Sequence, residues 1–293
     1  MKNIELIGAV ACIGAQDHRC ESGPLVVRSR GLIQHLSHQG FHAHWKQFVM
    51  PYIGIGDNRD KTQQISRYCA ELAEYVHTVV ASNHFFTVLG GDHSCAIGTW
   101  SGACVGNAKR IGLLWIDAHL DSHTPQTSHS GAIHGMPLAA LLGHGDPNLI
   151  NIASDRPKFD PQDVCVVGVR SFEPEEQALL ERLGVRIYYM EEIRRRGMDL
   201  VLREALAHVQ RNTTAVGVSI DLDAIDPLDA PGVGSPERGG IEGASLITAL
   251  RSATQGVPLI GAEIVEFNPI LDRSDRTVQL IFDLVDAMLP RAA

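Results

Sequence analysis

A chain of 293 residues, 44% of them hydrophobic, can bury a sizeable core without disulfides, as one large domain or two small ones. Its formal charge of −9 argues against nucleic acid and anionic membranes as partners. No apolar run reaches the roughly 20 residues that span a bilayer, and Met1 to Glu5 has no signal-peptide core, so a soluble, cytoplasmic protein is expected.

In chain order, Ile4 to Val10 reads as a strand. Pro24 to Gln39 reads as a helix, with Pro24 in its first turn and Gly40 as its stop. Phe41 to Phe48 alternates like a strand, and a polar loop with Gly54, Gly56 and Asp57 follows. Lys61 to Ser82 is a long amphipathic helix. Phe85 to Leu89 is a strand, Ala96 to Gly106 a helix of small residues, and Ile111 to Ile116 a strand leading into a long loop, Asp117 to Ala132. His134 to Leu142 is a short helix ended by Gly143.

Beyond it, Val164 to Val169 is a strand, Pro174 to Leu183 a helix and Val185 to Met190 a strand. Glu191 to Arg211 is helical with a weak point at Gly197, and Ala215 to Ile220 is a strand. A Gly/Pro-rich loop spans Leu228 to Gly240; then come a helix, Gly243 to Gln255, a strand, Leu259 to Phe267, and a closing helix, Thr277 to Leu289. About eight strands alternating with helices, without repeats or a linker-like break, imply an α/β fold: one domain, 1–293, with a parallel sheet covered on both faces. The six cysteines (Cys12, Cys20, Cys69, Cys95, Cys104 and Cys165) contain no Cys-x-x-Cys pair, so reduced thiols are expected.

Chemistry collects after three strands. Asp117-Ala118-His119-Leu120-Asp121 follows Ile111 to Ile116. In an extended chain, positions two apart point to one side, which gathers two carboxylates and an imidazole at a strand end. Asp221-Leu222-Asp223 follows Val216 to Ile220, and Gly90-Gly91-Asp92-His93-Ser94 follows Phe85 to Leu89. Alone, an Asp-x-Asp or a Gly-Asp-His-Ser is ordinarily a turn or a helix cap. Three such sets at the carboxyl ends of strands in one α/β chain point instead to a metal site. The candidate ligands are His93, Asp117, His119, Asp121, Asp221 and Asp223.

Four carboxylates packed together repel, and two divalent cations would balance them. In a two-metal site the ions sit roughly 3.5–4 Å apart and make a shared water acidic enough to act as a nucleophile. An oxygen-rich set without thiolate favours Mn²⁺, although Co²⁺, Ni²⁺ and Fe²⁺ share such ligands. Five of the 14 histidines (His119, His123, His129, His134 and His144) crowd into one stretch, where His129 and His144 read as solvated. Glu191 to Arg196 reads as a solvated helix face, and Trp100 and Trp115 as core.

Taken together, these three motifs resemble those of the ureohydrolase (arginase/agmatinase) family. The resemblance runs over nearly the whole chain and includes Glu21-Ser22-Gly23-Pro24, Gly234-Ser235-Pro236 and Glu266-Phe267-Asn268-Pro269. It implies a three-layer α/β/α fold around an eight-stranded parallel sheet, a two-manganese cluster on the six candidate ligands, and hydrolysis of a guanidinium C–N bond to release urea. It also implies a homo-oligomer, a trimer or hexamer. Glu266 matches the acid that grips the guanidinium, which suits a planar cation. His134 matches the family's active-site histidine, a proton shuttle or acid for the leaving amine, and Asp121 doubles as ligand and hydrogen-bond acceptor.

Thr124 to Pro137 resembles arginases more than agmatinases. There the loop holds an amino acid's α-carboxylate, and Ser128 and Ser130 match the hydroxyls. His123 and Ala132 stand where arginases carry Asn, and Glu173 where they carry an Asp that binds the α-ammonium. The implied substrate is L-arginine or a close α-amino guanidino acid. Agmatinase, guanidino-acid hydrolase and formimidoylglutamase remain as alternatives, with a deacetylase-like hydrolase or a metal-binding protein without this activity behind them.

Overall fold

The computed structural model describes residues 3–52, 59–107 and 109–290. Among them, eight strands form one sheet: β1 (Ile4–Ala9), β2 (Ala43–Val49), β3 (Phe85–Gly90), β4 (Ile111–Ile116), β5 (Val164–Val169), β6 (Arg186–Tyr189), β7 (Ala215–Asp221) and β8 (Leu259–Val265). The order is β2-β1-β3-β8-β7-β4-β5-β6 and every pairing is parallel. Between β3 and β4 the chain jumps across two positions that β7 and β8 later fill. Such a reversal leaves a crevice at the carboxyl edge of an α/β sheet.

The inner strands are apolar because both faces are covered. Along β4, Leu114 and Ile116 enter the core on one face, while Ile111, Leu113 and Trp115 enter the other. On this second face the helix Ala96–Gly106 packs on Lys61–Ala81 through its glycines. A Cβ at Gly98 would lie 2.5 Å from the Cys69 carbonyl, and one at Gly102 would lie 2.3 Å from that of Ala73. That close approach fixes the helix behind the turn that carries His93.

Four expectations are corrected. Pro24 to Gln39 is not one helix but two, Gly23–Ser29 and Leu32–His38, because Gly31 takes φ +92°. Gly197 at φ +86° likewise splits the expected Glu191–Arg211 helix into Met190–Arg196 and Met198–Val209. The cysteines are not all reduced: Cys12 and Cys20 form a disulfide, because the loop after β1 folds back and brings their Cα atoms to 5.9 Å. The expected helix His134 to Leu142 is a short 3-10 turn, Ile133–Gly135, followed by a single helical turn, Pro137–Leu141. The loop with Gly54, Gly56 and Asp57 lies outside the described residues.

Candidate metal centre and substrate pocket

Four strand ends build the site. Asp92 and His93 follow β3, Asp117 to Asp121 follow β4, Asp221 ends β7, and Glu266 follows β8. The acids are first used locally. Asp92 caps the turn at His93, Asp117 Oδ1 accepts from the His119 N–H at 2.7 Å, and Asp221 Oδ1 accepts from the Asp223 N–H at 2.9 Å. The turn-and-cap reading of each motif therefore holds alongside the metal reading. In Asp117 and Asp221 one carboxylate oxygen organises the backbone and leaves the other to face inward.

The inward atoms converge. His93 Nδ1 lies 3.3 Å from Asp117 Oδ2, 3.0 Å from Asp121 Oδ2 and 3.1 Å from Asp221 Oδ2. His119 Nδ1 lies 3.6 Å from Asp117 Oδ1 and 3.2 Å from Asp223 Oδ2. Two ligand groups result: His93, Asp117, Asp121 and Asp221 in one, Asp117, His119 and Asp223 in the other. Asp117 belongs to both.

These residues suit a pair of cations. His93 Nδ1 is buried with no hydrogen-bond partner while three carboxylates surround it, the environment of an imidazole lone pair directed at a metal. Its other nitrogen, Nε2, lies 3.2 Å from Ser219 Oγ, which in turn donates to the buried Glu263 at 2.8 Å. Trp115 donates from Nε1 to Asp117 Oδ2 at 2.9 Å and stacks on the His93 ring. It is core, as expected, and also orients two ligands.

Charge in the cluster is strongly coupled. Burial opposes protonation of His93 and His119, yet the carboxylates hold both imidazoles well above their ordinary range. Burial, helped by the charge of Asp117, pushes Asp121 up to about 6. Asp117 is buried too, but the neighbouring His119 and His93 imidazoles hold it below the usual carboxylate range.

Beside the cluster, Glu266 Oε1 accepts from the His93 main-chain N–H at 2.9 Å and lies 3.0 Å from His134 Nδ1. Burial works against charge on His134, but Glu266 overcomes it and raises the imidazole to about 10. Asp121 and Glu266 are non-glycine residues at positive φ, +47° and +66°. Backbone strain of this kind persists where surrounding structure forces a side chain to a fixed place.

A cavity of about 210 Å³ opens from the cluster. His123, Ser130 and Glu173 line it. Ser128 contacts Ser130 Oγ at 3.4 Å and accepts from the Gly131 N–H at 3.0 Å, so it supports the wall from behind. His123 does not face the cavity with a free nitrogen: Nε2 is hydrogen-bonded to Glu173 Oε2 and Nδ1 lies 3.1 Å from Thr127 Oγ1.

Glu176 is a lining residue the sequence reading missed. Buried and pushed up to about 7 by that burial, it accepts from the Glu173 and Ser122 N–H groups. The available signal was the Glu-x-x-Glu spacing of Glu173 and Glu176 at a helix start, a capping pattern that turns the second acid back toward the loop.

The reversed parallel sheet, the strand-end ligand groups and the adjoining buried acid place the chain among the ureohydrolases, a class of hydrolytic enzymes. A model of the Arginase family matches residues 2–290. The arginase of Brevibacillus brevis is 37% identical over 98% of this chain and 97% of its own length. The solved structure of the Bacillus caldovelox arginase superposes with a TM-score of 0.93 at 35% identity, covering 100% of this chain and 99% of the other. That of the Bacillus subtilis arginase gives 0.92 at 35%, with 99% of each chain covered. The chain belongs to the arginase family.

Proposed function

We propose that this enzyme hydrolyses the guanidinium group of L-arginine, or of a close α-amino guanidino acid, to urea and an amine, with two Mn²⁺ bound by His93, Asp117, His119, Asp121, Asp221 and Asp223. The observation that carries the reading is the pairing of two ligand groups that share Asp117 with a pocket that is acidic at both ends. Cations held by these six residues would supply an acidified water and stabilise developing negative charge.

The chain's own groups do the rest. Glu266, fixed by the His93 N–H, accepts hydrogen bonds from the planar guanidinium and sets its carbon against the cluster. Asp121, itself a member of the His93 ligand group, also accepts a hydrogen bond from the attacking water. His134 is protonated at neutral pH and donates to the departing amine. At the far end, Glu173 and Glu176 attract the α-ammonium, while Ser130, braced by Ser128, takes the α-carboxylate.

A second reading rests on one contact. His123 already satisfies Glu173, which favours a guanidino acid without an α-ammonium. A urea-release assay after Mn²⁺ loading, against L-arginine, its des-amino analogue, agmatine and shorter guanidino acids, separates the two. L-Arginine is expected to give the highest kcat/KM. Turnover of agmatine or of a des-amino acid with none of arginine would overturn the first reading. The proposal extends to one catalytic domain, a cytoplasmic location and a homo-oligomer, the last checked by light scattering.

A further inference from the structure

Residues 11–22 run from the end of β1 along the cleft, with a single 3-10 turn at His18–Ser22. Cys12, Ala15 and Cys20 form a small apolar cluster apart from the two cores that flank the sheet. With so little core, the bond between Cys12 and Cys20 sets the shape of this loop. What the bond encloses touches the site. The Gly14 N–H donates to Asp92 Oδ2 at 2.8 Å. The Gly14 carbonyl accepts from the N–H of Ile133 at 2.9 Å and of His134 at 3.3 Å. Cys20 also lines a cavity of about 320 Å³ together with His134 and Glu266.

We propose that Cys12 and Cys20 are a reversible thiol–disulfide exchange site for low-molecular-weight disulfides and thiols, which couples redox state to the position of His134. In the oxidative direction the Cys20 thiolate, on the cavity side, attacks one sulfur of a small disulfide RSSR. A mixed disulfide forms and RS⁻ leaves. The Cys12 thiolate then attacks the Cys20 sulfur, closes the protein disulfide and expels the second RS⁻. The two electrons given up by the cysteines reduce RSSR to two RSH, which take up the two thiol protons. Two small thiols reverse the sequence.

Cys12 and Cys20 are buried as well, but Cys20 reaches the cavity beside His134 and Glu266, which none of the other four cysteines lines. Burial holds the thiols of Cys69, Cys95, Cys104 and Cys165 above their ordinary range, and therefore unreactive. Opening the disulfide frees the segment that carries Gly14, so the braces on Asp92 and His134 loosen without removal of any ligand of the metal cluster.

The test equilibrates the Mn²⁺-loaded enzyme in glutathione buffers from fully reduced to fully oxidised. Each sample is quenched, unfolded and alkylated, and its free thiols are counted by mass spectrometry. Four alkylated cysteines are expected at the oxidising end and all six at the reducing end. In step with that change, kcat/KM falls about tenfold on reduction, the scale of a small displacement of a catalytic group, while bound metal stays constant. A Cys12→Ser, Cys20→Ser double variant holds the reduced-state activity in every buffer.

Six alkylatable thiols throughout overturn the site. A change from four to six with constant kcat/KM overturns the coupling. If the double variant does not fold, the titration of the unmodified chain decides alone. The kcat/KM readout rests on the proposed urea-releasing activity. Should no guanidine be hydrolysed, the reactivity of His134 toward an imidazole-acylating reagent replaces it, and the thiol count is unaffected.

Discussion

Glu266 is bonded to the backbone of His93, 173 positions earlier in the chain, at 2.9 Å. The contact ties the acid proposed to bind the guanidinium to the turn that carries a candidate metal ligand, so the two positions cannot drift independently. Glu266→Gln keeps an acceptor for that N–H but removes the charge that a guanidinium needs. We expect kcat/KM for arginine to fall about 100-fold or more, with two metal equivalents retained by elemental analysis. Near-normal turnover in this variant would remove Glu266 from the substrate site.

Asp117 serves both ligand groups, whereas His119 serves one. Asp117→Asn should therefore leave less than one tightly bound Mn²⁺ per chain after dialysis, and His119→Asn about one, with urea release lost alongside the metal. The cation-free cluster keeps protons on His93 and His119, which binding must displace. Affinity should rise with pH, and calorimetry in buffers of different ionisation enthalpy should register proton release. Equal metal loss in the two variants, or pH-independent affinity, would contradict the shared-ligand arrangement.

Glu176 supplies a pH dependence of its own. Burial raises its pKa to about 7, so the carboxylate is charged above that pH and neutral below it. An α-ammonium is held only by the charged form. The KM for arginine should then rise about tenfold between pH 8 and pH 6. The des-amino analogue should show no such rise, and Glu176→Gln should abolish it. Parallel pH profiles for the two substrates would place the ammonium elsewhere.

The strands were readable because inner strands of a doubly covered sheet are continuous apolar runs, as Ile111–Ile116 and Val164–Val169 are. The candidate ligand groups were readable because short motifs follow those runs directly. The helix breaks at Gly31 and Gly197 were harder, since a single glycine tolerates a helix as well as a positive φ. Three features were hidden for a different reason. The disulfide, the burial of Glu176 and the capture of Glu173 by His123 depend on loops folding against one another, which no local periodicity encodes.

That last contact yields two variants that should move in opposite directions. Glu173 is half-exposed, so its attraction for an ammonium is worth about 1 kcal/mol at most, or roughly fivefold in KM. Glu173→Ala should raise the KM for arginine by that factor and leave the des-amino analogue unchanged. His123→Ala removes the imidazole that now engages Glu173, and with it the partner 3.6 Å from Glu176. Both acids are then free for the α-ammonium, and the KM for arginine should fall while that for the des-amino analogue stays put. A rise in KM for arginine in both variants would mean that His123 contacts the substrate itself, by donating to the carboxylate from a nitrogen released when substrate enters.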